Sequence, residues 1–377
     1  MCMPLTSLNT TSSAKSPRSH EYDQLALRNY DACIRGVQRL IARRENGHLD
    51  TTLACALMCI CFELRIGMPH IALRHLEHSL DIVKANSADE DLLLAFAKLD
   101  IQASMFLGNR LLKTDMLALS RISLGSTGQN PTTDRDITHL LGKVFCFLRA
   151  NPGIFRGLTD RELADLACQE LGALERDLEY FRSSHGVVGV PRAAEATMLP
   201  QAQQTLWITC LVLEIILLSC SWRMSEMMYD EFLAHFEAIT TMAEAIMSGA
   251  GRYSDGYKDF RLDAALLYPL YMTAQLCRHP GIRRRLLRLM DEVSFDEGVW
   301  DGSSGKNYIQ ALMRLEEEGL EFEASDLESS GPSVIPEHKR VRTLDVQPES
   351  AERFSTFFFR FNRQSGQWDD LVETVVW

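Results

Sequence analysis

Three cysteines, Cys55, Cys59 and Cys61, fall in one predicted helix and precede three histidines, His70, His75 and His78. Thiolate and imidazole are the ligands of structural zinc, which makes this grouping the first candidate for chemistry. The spacing argues against it. Residues four apart share a helix face, so Cys55 and Cys59 pair while Cys61 turns away. None of the ten cysteines forms the pair separated by two residues that structural zinc sites use. In an apolar stripe a cysteine behaves as a small buried hydrophobe, and that is the role expected here. His75 and His78 are three apart with no carboxylate in register, and are expected on a solvated face.

The phosphate-binding option fails on letters. Lys306 follows Gly305, but Asn307 stands where Ser or Thr is needed and Trp300 where the leading glycine belongs. Gly302-Ser303-Ser304-Gly305 lacks the glycine pattern of a nucleophile elbow, and the stretch is expected to be a loop. Glu316-Glu317-Glu318 is a charge run, which by itself places no two carboxylates across a cleft. Arg278, Arg283, Arg284, Arg285 and Arg288 crowd one short region, with Ile282, Leu286, Leu287 and Leu289 between them. This pattern predicts an amphipathic helix. Its leucines go to the core, and Arg283, Arg284 and Arg288 face solvent or bridge to Glu316–Glu318. No catalytic, cofactor-binding or metal-binding residue follows from these patterns, and the chain is not expected to be an enzyme.

What must position these residues is a chain long enough for a sizeable core: 377 residues, 46% hydrophobic and 24% charged. Lys plus Arg number 39 against 51 Asp plus Glu, a formal charge of −12, which repels phosphate unless a basic face is segregated. Residues 1–20 are rich in Ser and Thr without an apolar core, and are expected to be disordered and not a secretory leader. With no such leader, the cysteines fit a reducing compartment.

From residue 21 to 320 the pattern is helical almost throughout. Leu53, Leu57, Ile60, Cys61 and Leu64 recur at helical spacing over Thr51–Arg65; Gly67-Met68-Pro69 interrupts; Leu73, Leu76, Leu80 and Val83 resume. That reads as a hairpin of two antiparallel helices. Leu92, Phe96, Leu99, Ala103 and Phe106 mark a third helix. A seam is expected at 123–132, then a helix over Thr133–Arg149. Thr159 and Glu162 have the spacing of a capping box before a helix running to Phe181. Further helices are predicted over Met227–Met247 and Lys258–Leu276. Leu206–Trp222 is apolar, but it is short for a membrane span. Glu214 lies in its middle, where an ionised carboxylate in hydrocarbon costs on the order of 3 kcal/mol, so a buried core helix is expected. Residues 321–352 read as an acidic mobile linker. The aromatic run Phe354, Phe357, Phe358, Phe359 and Phe361 requires 353–377 to dock back on the body.

The run Leu267-Tyr268-Pro269-Leu270-Tyr271, then Cys277-Arg278-His279-Pro280-Gly281-Ile282-Arg283-Arg284, then Glu297-Gly298-Val299-Trp300-Asp301, resembles the C-terminal region of fungal zinc-cluster transcription factors. Leu315-Glu316-Glu317-Glu318-Gly319 and Val334-Ile335-Pro336-Glu337 match downstream. Ala26-Leu27-Arg28-Asn29-Tyr30, Cys59-Ile60-Cys61-Phe62-Glu63, Ala72-Leu73-Arg74-His75-Leu76 and Leu99-Asp100-Ile101-Gln102-Ala103 match upstream. The resemblance spans roughly Tyr22 to Trp377 and lies in order and spacing.

It implies an all-α regulatory region, a multi-helix array of antiparallel hairpins. It further implies a nuclear role in transcriptional control, often of metabolic or secondary-metabolite gene clusters. The family's DNA-binding module is a cluster of six cysteines holding two zinc ions. Only Cys2 and Cys33 precede Cys55, so direct DNA binding is not expected of this chain. Protein partners and a small-molecule effector bound between helices are expected instead. The alternative is a scaffold of helix hairpins unrelated to transcription. Neither reading involves a membrane.

Overall fold

The computed structural model describes residues 17–43, 48–86, 88–107, 110–114, 133–151, 161–221, 225–249, 259–263, 265–293, 295–299, 302–323, 326–327, 335–348, 353–362 and 367–376. These are predominantly helical. In order they form α1 (Pro17–Arg43), α2 (Leu49–Arg65), α3 (Pro69–Ala85), α4 (Glu90–Phe106), α5 (Thr133–Ala150), α6 (Arg161–Ser184), α7 (Ala193–Met198), α8 (Gln201–Ser221) and α9 (Leu233–Gly249). Then come β1 (Asp259–Arg261), α10 (Leu267–Leu276), α11 (Pro280–Glu292), β2 (Phe295–Glu297), α12 (Gly302–Glu317), β3 (Val341–Pro348), β4 (Arg353–Asn362) and β5 (Gln367–Val376).

Helix α1 opens at Pro17, inside the stretch expected to be disordered, because proline's fixed φ suits a first helical position. The hairpin of α2 and α3 forms as the spacing requires. Gly67 takes φ 74° in the turn, where the Met68 amide donates to Glu63 O at 2.8 Å. Leu53, Ile60, Leu76, Leu80 and Phe96 bury together between α2, α3 and α4. Asp89 caps α4, accepting from the amides of Asp91 and Leu92. Ile101, Met105 and Phe106 of α4 belong instead to the larger core, so this helix joins the two clusters. The expected seam at 123–132 and the Thr159 half of the capping box lie outside the described residues.

Helix α8 is the axis of the larger core. It is the one helix among the described residues long and apolar enough to cross a membrane, and 67% of its apolar stretch is buried inside the protein. Glu214 does not face hydrocarbon alone. Its carboxylate lies 2.7 Å from Arg182 Nη1 and 3.3 Å from His235 Nε2. Burial alone would push that carboxyl up, but the hydrogen bond from His235 and the Arg182 guanidinium hold it below the usual range.

Two predicted helices are corrected. Lys258–Leu276 is not continuous: β1 pairs in parallel with β2, and α10 starts only at Leu267. The buried Glu297 carboxylate terminates the strand pair and accepts from the Leu266 and Leu267 amides at 2.9 and 2.7 Å, serving as a cap supplied from another element. Met227–Met247 is also divided, with a 3-10 turn over Glu226–Phe232 before α9. Arg340 Nη1 draws on the Glu226 carbonyl at 2.9 Å there.

At the C-terminus β3, β4 and β5 form a three-stranded antiparallel sheet, with Val341 opposite Arg360 and Phe361 opposite Trp368. The interval 321–352 is therefore not a free linker throughout: Ile335, Arg340 and Val341 are buried, and β3 begins at Val341. Strands β3 and β5 run beside α12, and Arg360 Nη2 donates to Leu315 O at 2.8 Å. The side chains of Phe354, Phe357, Phe358, Phe359 and Phe361 lie outside the described residues.

Candidate functional site

The cysteine and histidine grouping comes apart in three dimensions. Cys59 is buried with its Sγ 3.5 Å from Cys33 Sγ, while Cys33 Sγ reaches Cys55 O at 3.9 Å. Burial pushes the Cys59 thiol far up and the Cys61 thiol to about 11, so both are held as neutral thiols. His70 and His78 are exposed. His75 is not merely solvated: its Nδ1 meets the fully buried Glu63 carboxylate at 2.7 and 2.9 Å, and Tyr30 Oη donates to Glu63 Oε1 at 2.6 Å. Sequence reasoning missed Glu63 because its partners come from two other helices, α1 and α3. Among the described residues no three His, Cys, Asp or Glu side chains are grouped to hold a metal ion.

The Gly302–Lys306 stretch is the first turn of α12 and not a loop. A Cβ on Gly302 would stand 2.5 Å from Met290 O, so glycine lets this helix start against the end of α11. Lys306 pairs with Asp291 at 2.5 Å.

The arginine cluster turns inward. Arg278 donates from Nη2 to Glu226 Oε2 at 2.9 Å and from Nε to Glu316 Oε1 at 3.1 Å. Arg283, expected at the surface or bridging to the acidic run, is fully buried, with Nη1 2.6 Å from Glu316 Oε2. Arg284 takes Glu317, Arg285 takes Glu237 and Glu244, and Arg288 is exposed. Arg340, also buried, forks onto Asp230 at 3.0 and 2.7 Å, and Arg342 Nε reaches Glu226 at 2.7 Å. Burial would raise the Glu316 carboxyl; Arg278, Arg283 and the Val341 amide outweigh it and hold the group charged below the usual range. This network ties α11, α12, the 3-10 turn and β3 into one unit.

The remaining feature is concave. A cavity of about 620 Å³ opens between α4, α5, the turn after α6, α8 and the segment leading into α10. That volume is in the range of sites for small molecules. Its walls are largely apolar, with Ile101, Met105, Ile137, Leu141, Leu206 and Val212 among them. At its rim Lys98 Nζ bridges Asp134 at 2.8 Å and Asp263 at 2.6 Å, joining α5 to the segment before α10. Desolvation would lower the Lys98 ammonium, but the hydrogen bonds it donates to both carboxylates hold it above the ordinary lysine range. Gln102 Nε2 donates to Leu262 O and fastens the same segment from inside.

His185, at the end of α6, is one of the lining residues. Its Nδ1 lies 2.9 Å from Phe181 O, a carbonyl that only accepts, so the proton sits on Nδ1. The ring stacks on Phe181, with centroids 4.2 Å apart. Nε2 is buried and meets no protein donor among the described residues. The cavity's apolar walls can bury a small guest. No single spacing motif could have revealed the cavity, because its walls come from five separate stretches of chain.

No family model, curated protein or solved structure matches the chain.

Proposed function

We propose that this chain is a non-enzymatic, all-helical regulatory module related to fungal zinc-cluster transcription factors, built as an array of helix hairpins. In this reading it acts in the nucleus on a metabolic or secondary-metabolite gene cluster, through contacts with other proteins. A small molecule bound between its helices is the effector.

The cavity is the observation that carries the reading. Its walls come from five segments and its rim is latched by Lys98, so occupancy there changes the spacing of helices distant in the chain. The arginines add support. Four of the five in the 278–288 cluster are engaged by internal carboxylates, which leaves little cationic surface in that region for a phosphate backbone.

The test is to fuse the chain to a heterologous DNA-binding domain and measure a reporter, alongside a gel-shift titration of the unfused chain. Reporter output should change several-fold on fusion, with no sequence-specific shift from the chain alone. A silent fusion, or salt-sensitive specific DNA binding at nanomolar concentration, would overturn the proposal.

A further inference from the structure

We infer that Cys33 of α1 and Cys59 of α2 are a modification site: a thiol pair that a hydroperoxide converts to a disulfide, fastening α1 to the α2–α3 hairpin. The inference is independent of what the cavity holds.

The geometry is already close to that of the product. The two Sγ atoms face each other across the α1–α2 contact at 3.5 Å, so a disulfide needs them to approach by only about 1.5 Å more. Neighbouring contacts hold them opposed. Three residues before Cys33, Tyr30 donates to Glu63 Oε1 at 2.6 Å, and its ring stacks on Phe62 with centroids 5.0 Å apart. Cys33 Sγ also reaches the Cys55 carbonyl at 3.9 Å. These contacts set the register of α1 on α2 before any oxidant arrives, which is the condition for a fast second step.

The two thiols differ as peroxide chemistry requires. Cys33 is half-buried and keeps some exposed surface, whereas Cys59 is only 4% exposed. Burial, the Cys33 sulfur and the Glu63 carboxylate push the Cys59 thiol far up, so it keeps its proton and does not meet the oxidant first. The Cys33 thiolate attacks one oxygen of the hydroperoxide. The O–O bond breaks, Cys33 becomes a sulfenic acid, and the departing oxygen takes up the proton that Cys33 had released. The Cys59 sulfur, which needs no access to solvent, then attacks the Cys33 sulfur beside it. The S–O bond breaks, and hydroxide leaves with the Cys59 proton as water. Two thiols have lost two electrons, and one hydroperoxide has been reduced to an alcohol and water.

The effect falls on α1. No side chain between residues 24 and 40 is fully buried, so this helix is held by partly exposed contacts and its separation from α2 is a low-cost opening of the fold. A covalent bond between residues 33 and 59 closes that opening. Where thiols are kept reduced the pair rests open, and a transient disulfide is the form that redox-sensing pairs take there. Cys55, whose thiol also interacts with Cys33, is the competing partner.

The experiment treats the full reduced chain, at low concentration, with hydrogen peroxide, blocks the remaining thiols with N-ethylmaleimide, and maps linked peptides by mass spectrometry. The Cys33–Cys59 link should be the main intramolecular one. Backbone hydrogen exchange along α1 should slow by about tenfold or more, and dithiothreitol should restore it. Cys59→Ser should stop at a Cys33 sulfenic acid that dimedone captures, whereas Cys55→Ser should still form the link. A main link between Cys33 and Cys55, oxidation of the exposed Cys168 with Cys33 left reduced, or a Cys33–Cys59 link that leaves α1 exchange unchanged overturns the inference. Should either variant fail to fold, the linkage map and exchange rates of the parent decide alone.

Discussion

Arg283 Nη1 lies 2.6 Å from Glu316 Oε2, and neither side chain has any exposed surface. Arg278 takes the other oxygen of the same carboxylate, and the Val341 amide donates to it at 2.9 Å. One glutamate thus closes α11, α12 and β3 around itself. Removing one partner from such a pair leaves an uncompensated charge in a low-dielectric interior, which costs about 3–5 kcal/mol. Glu316→Gln and Arg283→Met should each lower the unfolding free energy by that order, read as a lower denaturant midpoint at unchanged slope, while Arg288→Ala, on the exposed face of the same helix, should leave the midpoint unchanged. Equal midpoints for the Arg283 and Arg288 variants would refute the account.

The pH response of two buried glutamates should run in opposite directions. Burial raises Glu297 from an ordinary 4.5 to about 7, against the opposing pull of the Leu266 and Leu267 amides and Arg261. The folded state then holds a proton between those values that the unfolded chain has released. Stability therefore falls as pH rises from 4.5 to 7, by roughly 3 kcal/mol across that window. Glu316, held below the usual range, does the reverse: its contribution is present above the ordinary carboxylate value and is lost as pH falls through its lowered one. Unfolding curves of Glu297→Gln against the parent between pH 4 and about 8 provide the check, since the substitution keeps an acceptor for the two amides and should flatten only the neutral-side slope. An unchanged slope would assign that dependence elsewhere.

Much of the helical frame was legible because it rests on periodicity. The stripes of α2, α3 and α4 bury as their three- and four-residue spacings require, and α5 spans Thr133–Ala150 against an expected Thr133–Arg149. The failures share one cause: the deciding partner is far away in sequence. Lys258–Leu276 reads as helix until Glu297 and β2 take its first residues into a strand pair. Gly302–Lys306 reads as loop until α11 offers a surface only glycine can approach. Arg283 and Arg284 reach Glu316 and Glu317, in the acidic run the spacing had offered as a bridge, but Arg278 and Arg285 turn to Glu226, Glu237 and Glu244, about 41 to 52 residues away, which no local pattern marks. Glu214 was the one available clue: a carboxylate amid an apolar run demands a buried cation, and Arg182 supplies it.

Gly298 links the strand pair to the cavity wall. It sits at φ 54°, and a Cβ added there would stand 1.7 Å from Gln102 Oε1. Gly298→Ala must therefore adopt a left-handed backbone conformation and also push Gln102 off Leu262 O, a loss on the order of 1–3 kcal/mol. Gly36 is the control. It lies within α1 with nothing within 4 Å of a built Cβ, so Gly36→Ala should stabilise the protein by up to about 1 kcal/mol. Thermal melts showing the same sign of change for both variants would disprove this reading of Gly298.

Lys98 should govern how fast the cavity exchanges its guest more than how firmly the protein folds. Both of its carboxylates are more than half exposed, Asp134 at 59% and Asp263 at 61%, so solvent screens the bridge and its loss should change stability by no more than about 1 kcal/mol. The same bridge spans the rim, where Asp134 begins α5 and Asp263 precedes α10. Lys98→Met leaves two carboxylates repelling across the mouth and should speed release of a bound neutral, apolar fluorescent probe several-fold while the unfolding midpoint barely moves. Added salt should mimic the substitution in the parent, because it weakens an exposed ion pair, and should have little further effect on the variant. Stopped-flow release at two ionic strengths separates the cases. Identical salt dependence in parent and variant would mean that the Lys98 bridge does not control the opening.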